Sequence, residues 1–532
     1  MKIVIADSLP VSASELLQAE GWIVDSRTGR PTEKLKEAVA DADGLIVRGA
    51  TRVDSDLIAA APRLRVIARA GTGVDNLDID AASQRGVLVL NAPGANSVSV
   101  AEHACALMLT LARSVTRADA LMKDGQWGKR GLQGTELRGK TLGVVGLGRI
   151  GREVVRRVRA FEMKITAHDP YISPQIADDL GVELVSLNQL CGQADFISLH
   201  LPSNPDTRAL LNRDRLALCK HGVRIINTAR GDLIDESALI EAIESGQVAG
   251  AGLDVFETEP PVETNLTRLP QVVATPHIAA STKEAQELVG LETATCVREF
   301  LRSGAVRNAV NFPSVSPEEF RNLQVYTILA ERLGHLLAQL TKDPAETVGI
   351  RYYGDLAGSS HDILVGAALM GLLRPVLSSN VTLVNVQSVA QQRGLEIIES
   401  HSSRTRNFTN LLSIKLHTSK GELWAEGAVF EPKEPRLVLL DGVEVEAPLA
   451  GSLVVIRNND QPGVIGEVGT ILGSYGINIA TFALGRGTQG AIGVVSIDGE
   501  NNKFGVTPEI EEALLDQIRR VPAVSRVDFV RL

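Results

Sequence analysis

Cysteine, long apolar runs and positive charge are all in short supply in this chain, and each shortage removes a class of protein. The four cysteines among 532 residues (Cys105, Cys191, Cys219 and Cys296) lie far apart and form no CxxC pair. That pattern argues against a disulfide framework and fits small buried side chains in a reducing compartment. No apolar run approaches the roughly twenty residues that span a bilayer. The richest, Val365 to Leu377, is interrupted by Arg374 and Pro375. A formal net charge of −10 speaks against a nucleic-acid backbone as the main partner. Met1 runs directly into the strand-like KIVIAD, so no leader and no membrane anchor are expected, and the cytoplasm is the expected location. Glycine is plentiful instead: 48 residues suit an α/β chain with many strand-to-helix turns. The length calls for three or four domains.

The most informative stretch is Lys140 to Asp169. Thr141 to Val145 is a strand-type run ending in Gly146-Leu147-Gly148-Arg149-Ile150-Gly151, after which Ile150, Val154, Val155, Val158 and Phe161 recur at helical spacing. A second strand, Lys164 to His168, ends on Asp169. In a dinucleotide fold Gly146 permits the tight turn, Gly148 admits a pyrophosphate and Gly151 allows close helix–strand packing. The pyrophosphate would sit on the N–H groups of the helix start. Asp169, about twenty residues on, is placed for a ribose and favours NAD over NADP.

Strands and helices also alternate from Lys2 to Val74, as in a doubly wound parallel sheet. Two of its strand-end loops carry Arg48 and the turn Ala70 to Asp75, where an arginine and the N–H groups near Gly71 could hold an anion. A surface ion pair is the competing role for Arg48. The breaker-rich segment Asn91 to Ser97 marks a boundary. Ser99 and Glu102 then suggest a capping box opening one long helix through Ala101 to Met122. Lys129 and Arg130 read as solvated charges. Beyond Asp169, three consecutive strand ends present Arg230, Glu259 and His277.

These three side chains suit hydride transfer from a secondary alcohol. Neutral His277 would accept the hydroxyl proton, since imidazole titrates near operating pH. Glu259 would fix its tautomer and stabilise the imidazolium. Arg230 would orient a carboxylate or the reacting oxygen bidentately.

A helix from Thr282 to Leu301 should return to the first sheet, which makes that domain discontinuous. After a linker at Phe312 to Pro317, the helix Glu319 to Leu340 and strands at Thr347 to Tyr353, Val381 to Val384, Leu411 to Thr418 and Glu422 to Val429 are expected, with a hairpin at Ser419 to Gly421. From Leu453 onward the pattern is βαββαβ, a ferredoxin-like module without an evident reactive centre.

Taken together, Gly146 to Gly151, Asn227 to Asp232, Asp254 to Pro260 and Pro276 to Ser281 resemble the signatures of the D-2-hydroxyacid dehydrogenases. With Val47-Arg48, Arg69 to Asp75 and the terminal module, the whole length is similar to their long-form phosphoglycerate dehydrogenase branch. The resemblance implies two doubly wound parallel-sheet domains, an α+β intervening domain and a βαββαβ ACT domain. The expected bounds are 1–97 with 283–311 for substrate, 98–282 for NAD, 316–448 for the intervening domain and 452–532 for the ACT domain. It implies oxidation of 3-phosphoglycerate to 3-phosphohydroxypyruvate, the first step of serine biosynthesis, with Arg230, Glu259 and His277 as catalytic residues. NAD contacts would come from Thr72, Arg149, Ile150, Asp169, Thr228, Ala229, Asp254 and the stretch to Ala280, and substrate contacts from Arg48, Gly71 and Asn96. Asp460 and Asn478 match positions that hold a serine effector, although Asn458 stands where some serine-sensitive members have tyrosine. No metal is expected, and a homotetramer is. A glyoxylate or hydroxypyruvate reductase on the same scaffold, or an NAD-sensing corepressor, are the alternatives.

Overall fold

A computed structural model describes the chain apart from residues 262–264, 314–316, 342, 359–360, 378–380, 431–433, 489 and 498–507, so half of the linker expected at Phe312 to Pro317 lies outside the described residues. Five parallel strands, β1 (Lys2–Ile5), β2 (Ile23–Asp25), β3 (Gly44–Val47), β4 (Val66–Arg69) and β5 (Leu88–Leu90), form a first sheet ordered β2-β1-β3-β4-β5. These strands are apolar on both faces because both faces are covered. Val4, Leu45, Val47, Ile67 and Val89 enter one layer. Ile3, Ile5, Ile46, Val66 and Leu88 enter the other. The helix Lys283–Ser303 supplies Ala294, Val297 and Leu301 to that second layer, so the chain re-enters its first sheet after building another.

The second sheet has seven parallel strands, β6 (Thr141–Val145), β7 (Lys164–His168), β8 (Glu183–Leu184), β9 (Phe196–Leu199), β10 (Val223–Asn227), β11 (Val248–Leu253) and β12 (Val272–Ala274). Their order is β12-β11-β10-β9-β6-β7-β8. The chain order reverses between β6 and β9, which opens a ligand crevice at the carboxyl ends of those strands. Asn227 pairs with Leu253, and Leu253 with Ala274, so the last three strand ends lie side by side.

Two expectations for the connector between these sheets are corrected. The long helix breaks at Ser114, a left-handed residue at φ 51°, into Ser97–Arg113 and Val115–Lys123, bent by 66°. The Ser99–Glu102 capping box does not form either. The helix begins two residues earlier, so Ser99 lies inside it and its hydroxyl meets Thr282 Oγ1 at 2.7 Å. Among the described residues no single helix is long and apolar enough to cross a membrane.

A third sheet combines β13 (Ala345–Tyr353), β14 (Glu396–Ser402), β15 (Leu411–Thr418), β16 (Gly421–Phe430), β17 (Glu434–Leu440) and β18 (Val443–Pro448) in the order β14-β13-β15-β16-β17-β18. Only β13 and β14 run parallel. The strand expected at Val381 to Val384 is instead a turn leading into the helix Val386–Gln392. The helix Asp362–Leu373 was not anticipated: it is buried on all sides and so lacks the amphipathic stripe that marks a surface helix.

The fourth sheet, from β19 (Ser452–Asn458), β20 (Ile479–Gly487), β21 (Gly490–Ile497) and β22 (Val524–Arg531), is antiparallel, ordered β20-β21-β19-β22. Helices Val464–Ser474 and Pro508–Arg519 complete βαββαβ. Alternation along β19 decides how it is held. Val454 and Ile456 pack under the two helices. Leu453 and Val455, with Val494 and Val530, join Leu336, Tyr352 and Leu412 in one core with the third sheet. The two units are therefore expected to unfold together. Leu453→Ala should cost about 2–5 kcal/mol, and amide exchange should quicken in β13 as well as β19. Exchange that rises in β19 alone would show two independent cores.

Candidate active site

The glycine loop after β6 has the form a dinucleotide requires. Gly146 sits at φ 95°, and a Cβ there would lie 2.5 Å from the His200 carbonyl oxygen. A Cβ on Gly151 would lie 2.1 Å from the carbonyl oxygen of Gly146, so helix and strand touch at this point. Gly148 is exposed and faces open space, leaving the helix start accessible to an anion. Asp169 Oδ2 accepts from the Leu147 N–H at 2.8 Å, tying the end of β7 to the loop. Thr228 Oγ1 is buried among the described residues without a hydrogen-bond partner, a polar group a ligand would satisfy. Ala229, beside it, donates its N–H to Asn227 Oδ1 at 3.0 Å. Ile150 packs half-buried against the core beneath the loop. The residues present thus fit NAD. The Arg149 guanidinium donates to the Pro93 carbonyl and lies against Gly94, across the boundary between the two sheets.

His277 follows β12 at φ 53°, a left-handed conformation unusual for a side-chain-bearing residue. Its Nδ1 lies 2.7 Å from Glu259 Oε2, and Glu259 Oε1 accepts from the Phe256 N–H at 3.1 Å. The imidazole is half-exposed, and its Nε2 meets no protein partner among the described residues. A neutral imidazole that donates from Nδ1 to a carboxylate keeps a basic Nε2 for a substrate proton.

Asp254, expected as a cofactor contact, also makes this geometry. It is fully buried. One oxygen accepts from Thr275 Oγ1 at 2.5 Å and Ile278 N at 2.9 Å, the other from Ala279 N at 2.8 Å. Its carboxylate is therefore committed to the loop that carries His277 and the half-buried Ala280. Burial pushes its pKa up. Hydrogen bonds from His103, Thr275 and the N–H groups of Ile278 and Ala279 outweigh burial and hold it below the ordinary carboxylate value.

Arg230, after β10, reaches across the cleft to the first sheet. Its Nε and Nη2 lie 3.1 and 3.0 Å from Asp75 Oδ2, and Nη1 donates to the Ala229 carbonyl at 2.6 Å. Asn227 Nδ2 holds the Arg230 carbonyl at 2.7 Å. Gly231 packs on the Phe256–Glu257 backbone so closely that a Cβ would lie 1.9 Å from the Phe256 carbonyl carbon. The loops bearing Arg230, Glu259 and His277 are thus one packed unit.

On the first-sheet side, a Cβ at Gly73 would lie 1.8 Å from Arg230 Nη2, and one at Gly71 would lie 2.0 Å from Arg69 Nη1. Arg48 is placed by its backbone, which donates to Asp7 and accepts from Asn76 Nδ2 at 2.7 Å. Among the described residues its guanidinium makes only a 3.4 Å contact with the Ser8 carbonyl. Thr72 Oγ1 donates to Asn96 Oδ1 at 3.1 Å, so an expected cofactor residue and an expected substrate residue touch. Sequence reasoning passed over Arg69. It is largely buried, its Nε lacks a partner among the described residues, and burial together with the nearby Arg230 and Arg48 lowers its pKa. The available signal was its place as the last residue of β4, immediately before the glycine turn. Three guanidinium groups, attended by Asp7 and Asp75, thus stand together on this side of the cleft.

Comparison with known proteins now decides the family. The profile of the D-isomer specific 2-hydroxyacid dehydrogenase NAD binding domain matches residues 105–279, and that of the D-3-phosphoglycerate dehydrogenase intervening domain matches 322–441. A D-3-phosphoglycerate dehydrogenase of Methanocaldococcus jannaschii is 41% identical over 533 residues, covering 100% of each chain. One of Bacillus subtilis is 38% identical over 94% of this chain and 95% of its own. The chain belongs to the D-3-phosphoglycerate dehydrogenase family. A glyoxylate reductase structure from Paecilomyes thermophila is 34% identical, with a TM-score of 0.54, and covers 60% of this chain and 99% of its own. The family's NAD domain profile thus spans the glycine loop, Arg230, Glu259, His277 and the buried Asp254.

In the fourth sheet, Asp460 borders a cavity of about 230 Å³ lined also by Pro462, Ile465, Phe482 and Arg486. Its Oδ1 accepts from Arg486 Nε at 3.1 Å. Asn478 is exposed and does not line that cavity.

Asp254→Asn isolates the buried carboxylate. The group stabilises the fold above the ordinary carboxylate pKa, and that contribution is lost as pH falls through its lowered value. The variant should lose about 2–4 kcal/mol at pH 7. In urea unfolding the gap from wild type should narrow on acidification, and a gap that widens in acid would contradict the assignment.

Proposed function

We infer that this chain oxidises 3-phosphoglycerate to 3-phosphohydroxypyruvate with NAD as hydride acceptor, the first step of serine biosynthesis. Full-length similarity to enzymes of that name supports the reaction. The observation that carries the mechanism is the 2.7 Å contact between His277 Nδ1 and Glu259.

Residues 98–282 hold the cofactor. Gly146, Gly148 and Gly151 accommodate the pyrophosphate, Asp169 the ribose, and Thr228, Ala229 and the stretch to Ala280 the nicotinamide side. Bound NAD supplies the hydride-accepting carbon. Residues 1–97 with 283–311 hold the substrate. Arg48, Arg69 and the N–H groups of the Gly71 turn take its anionic ends. Arg230 donates to Asp75 through Nε and to the Ala229 carbonyl through Nη1, with Nη2 in ion-pair contact with Asp75. The N–H groups left on its terminal nitrogens form a fork for the substrate carboxylate. His277 Nε2 removes the hydroxyl proton as the hydride leaves, and Glu259 stabilises the resulting imidazolium. In the reverse direction the imidazolium returns that proton.

Residues 316–448 and 452–532 form the regulatory part, the latter as an ACT domain, in a cytoplasmic homotetramer. L-serine is the effector proposed for the cavity beside Asp460, where a carboxylate and Arg486 offer partners for an amino acid's two charges.

His277→Asn should lower kcat by about 10²–10⁴-fold, the usual worth of a general base, while NADH binding followed by fluorescence stays within a factor of a few. Arg48→Ala should raise KM for 3-phosphoglycerate far more than for an unphosphorylated 2-hydroxy acid; equal changes would favour a glyoxylate or hydroxypyruvate reductase. In calorimetry wild type should bind L-serine and Asp460→Ala should not, whereas silence from both would remove the effector from the proposal.

A further inference from the structure

The edge of the seven-stranded sheet opposite the cofactor, where its strands begin, contains a second cavity of about 150 Å³. Lys140 lies just before β6, Asp195 just before β9, and Lys220 and His221 on the turn into β10, whose second residue is Arg224. Three permanent cations thus face one carboxylate, in a chain whose overall charge is −10. That carboxylate is already engaged: Asp195 Oδ2 accepts from the Thr141 N–H at 2.7 Å, and Oδ1 lies 3.2 Å from Lys220 Nζ.

Arg224 is the informative group. Its guanidinium carbon lies 5.5 Å from the centroid of the buried Phe196 ring, which forms the apolar wall of the cavity. The guanidinium makes no hydrogen bond or ion pair to any described residue, and neither does Lys140 Nζ. Half-burying a guanidinium without an acceptor is costly. Burial lowers its pKa, with Asp195 only partly opposing. An unspent arginine fork, an unspent lysine and a second lysine around a small concavity form the donor set that binds a tetrahedral dianion.

We propose that this cavity is a binding site for a phosphoryl group, either inorganic phosphate or the phosphate of a small monoester. Arg224 binds it bidentately, Lys140 and Lys220 supply charge, and His221 lies at the rim. The site is separate from the substrate cleft. The five residues of β6 lie between it and the glycine loop, roughly 17 Å at strand rise. An anion here would join the beginnings of β6, β9 and β10, so its expected effect is on the stability of the dinucleotide domain and not on turnover.

The test titrates inorganic phosphate and, separately, glycerol 3-phosphate into the full-length chain in phosphate-free buffer at constant ionic strength. Calorimetry and thermal melts are the readouts, and Lys140→Met/Arg224→Gln is the variant. Wild type should bind one equivalent more than the double variant, and the phosphate-induced rise in Tm should fall at least severalfold in the variant while kcat is retained. Glycerol 3-phosphate binding tenfold tighter than phosphate would identify a monoester site; equal affinities would identify a free-phosphate site. Equal stoichiometry and equal melting shifts in both proteins would overturn the proposal, as would chloride reproducing the whole effect. If the double variant melts early in chloride, Lys140→Met alone, whose side chain has no partner to lose, carries the same comparison.

Discussion

The buried carboxylate of Asp254 is the constraint on which the catalytic edge depends. A parallel sheet delivers its strand ends to one side, but a strand end is only a starting point for a side chain. The chain must still leave β12 at an angle that no regular element provides. Asp254 sets that angle by accepting from Thr275 and from two successive N–H groups beyond His277. Backbone donors aimed at one charged acceptor form a strong arrangement because the acceptor has been removed from water. The left-handed backbone of His277 is the local cost of that geometry.

The other recurring device is an arginine laid across a boundary. Arg230 leaves the second sheet and pairs with Asp75 of the first. Arg149 leaves the start of the cofactor helix and reaches Pro93. Both ties are half-exposed or exposed, and such pairs contribute little to stability. Their value is positional: they set how far apart the two walls of the cleft stand, and distances at the reacting centre follow from that. Hydride and proton transfer both depend on the width of this cleft.

The second half of the chain is organised by a continuous core. Because β19 alternates, one of its faces belongs to the helices of its own unit and the other to the unit before it. The strand that ends beside Asp460 is thus shared between the two cores. In the third sheet's unit, Thr382 Oγ1 donates to the Gly86 carbonyl of the first sheet's domain at 2.9 Å.

Periodicity and glycine spacing made the two parallel sheets legible, together with the cofactor loop, the outline of the βαββαβ unit and the strand ends bearing Arg230, Glu259 and His277. These features are local: a turn that needs glycine or a strand buried on both faces leaves its mark within a few residues. The helix Asp362–Leu373, the break at Ser114 and the strand β14 were not legible, because burial on every side, bending against a neighbour and edge pairing depend on what packs alongside. Nor could spacing reveal that Asp254 serves the loop behind it, that Arg149 crosses to Pro93, or that Arg69 joins Arg48 and Arg230. The sequence by itself determined which chemistry was available and which segments would carry it. Only the tertiary structure decided which charges became neighbours, since Asp75 and Arg230 are 155 residues apart and meet only when two separate cores close on one cleft.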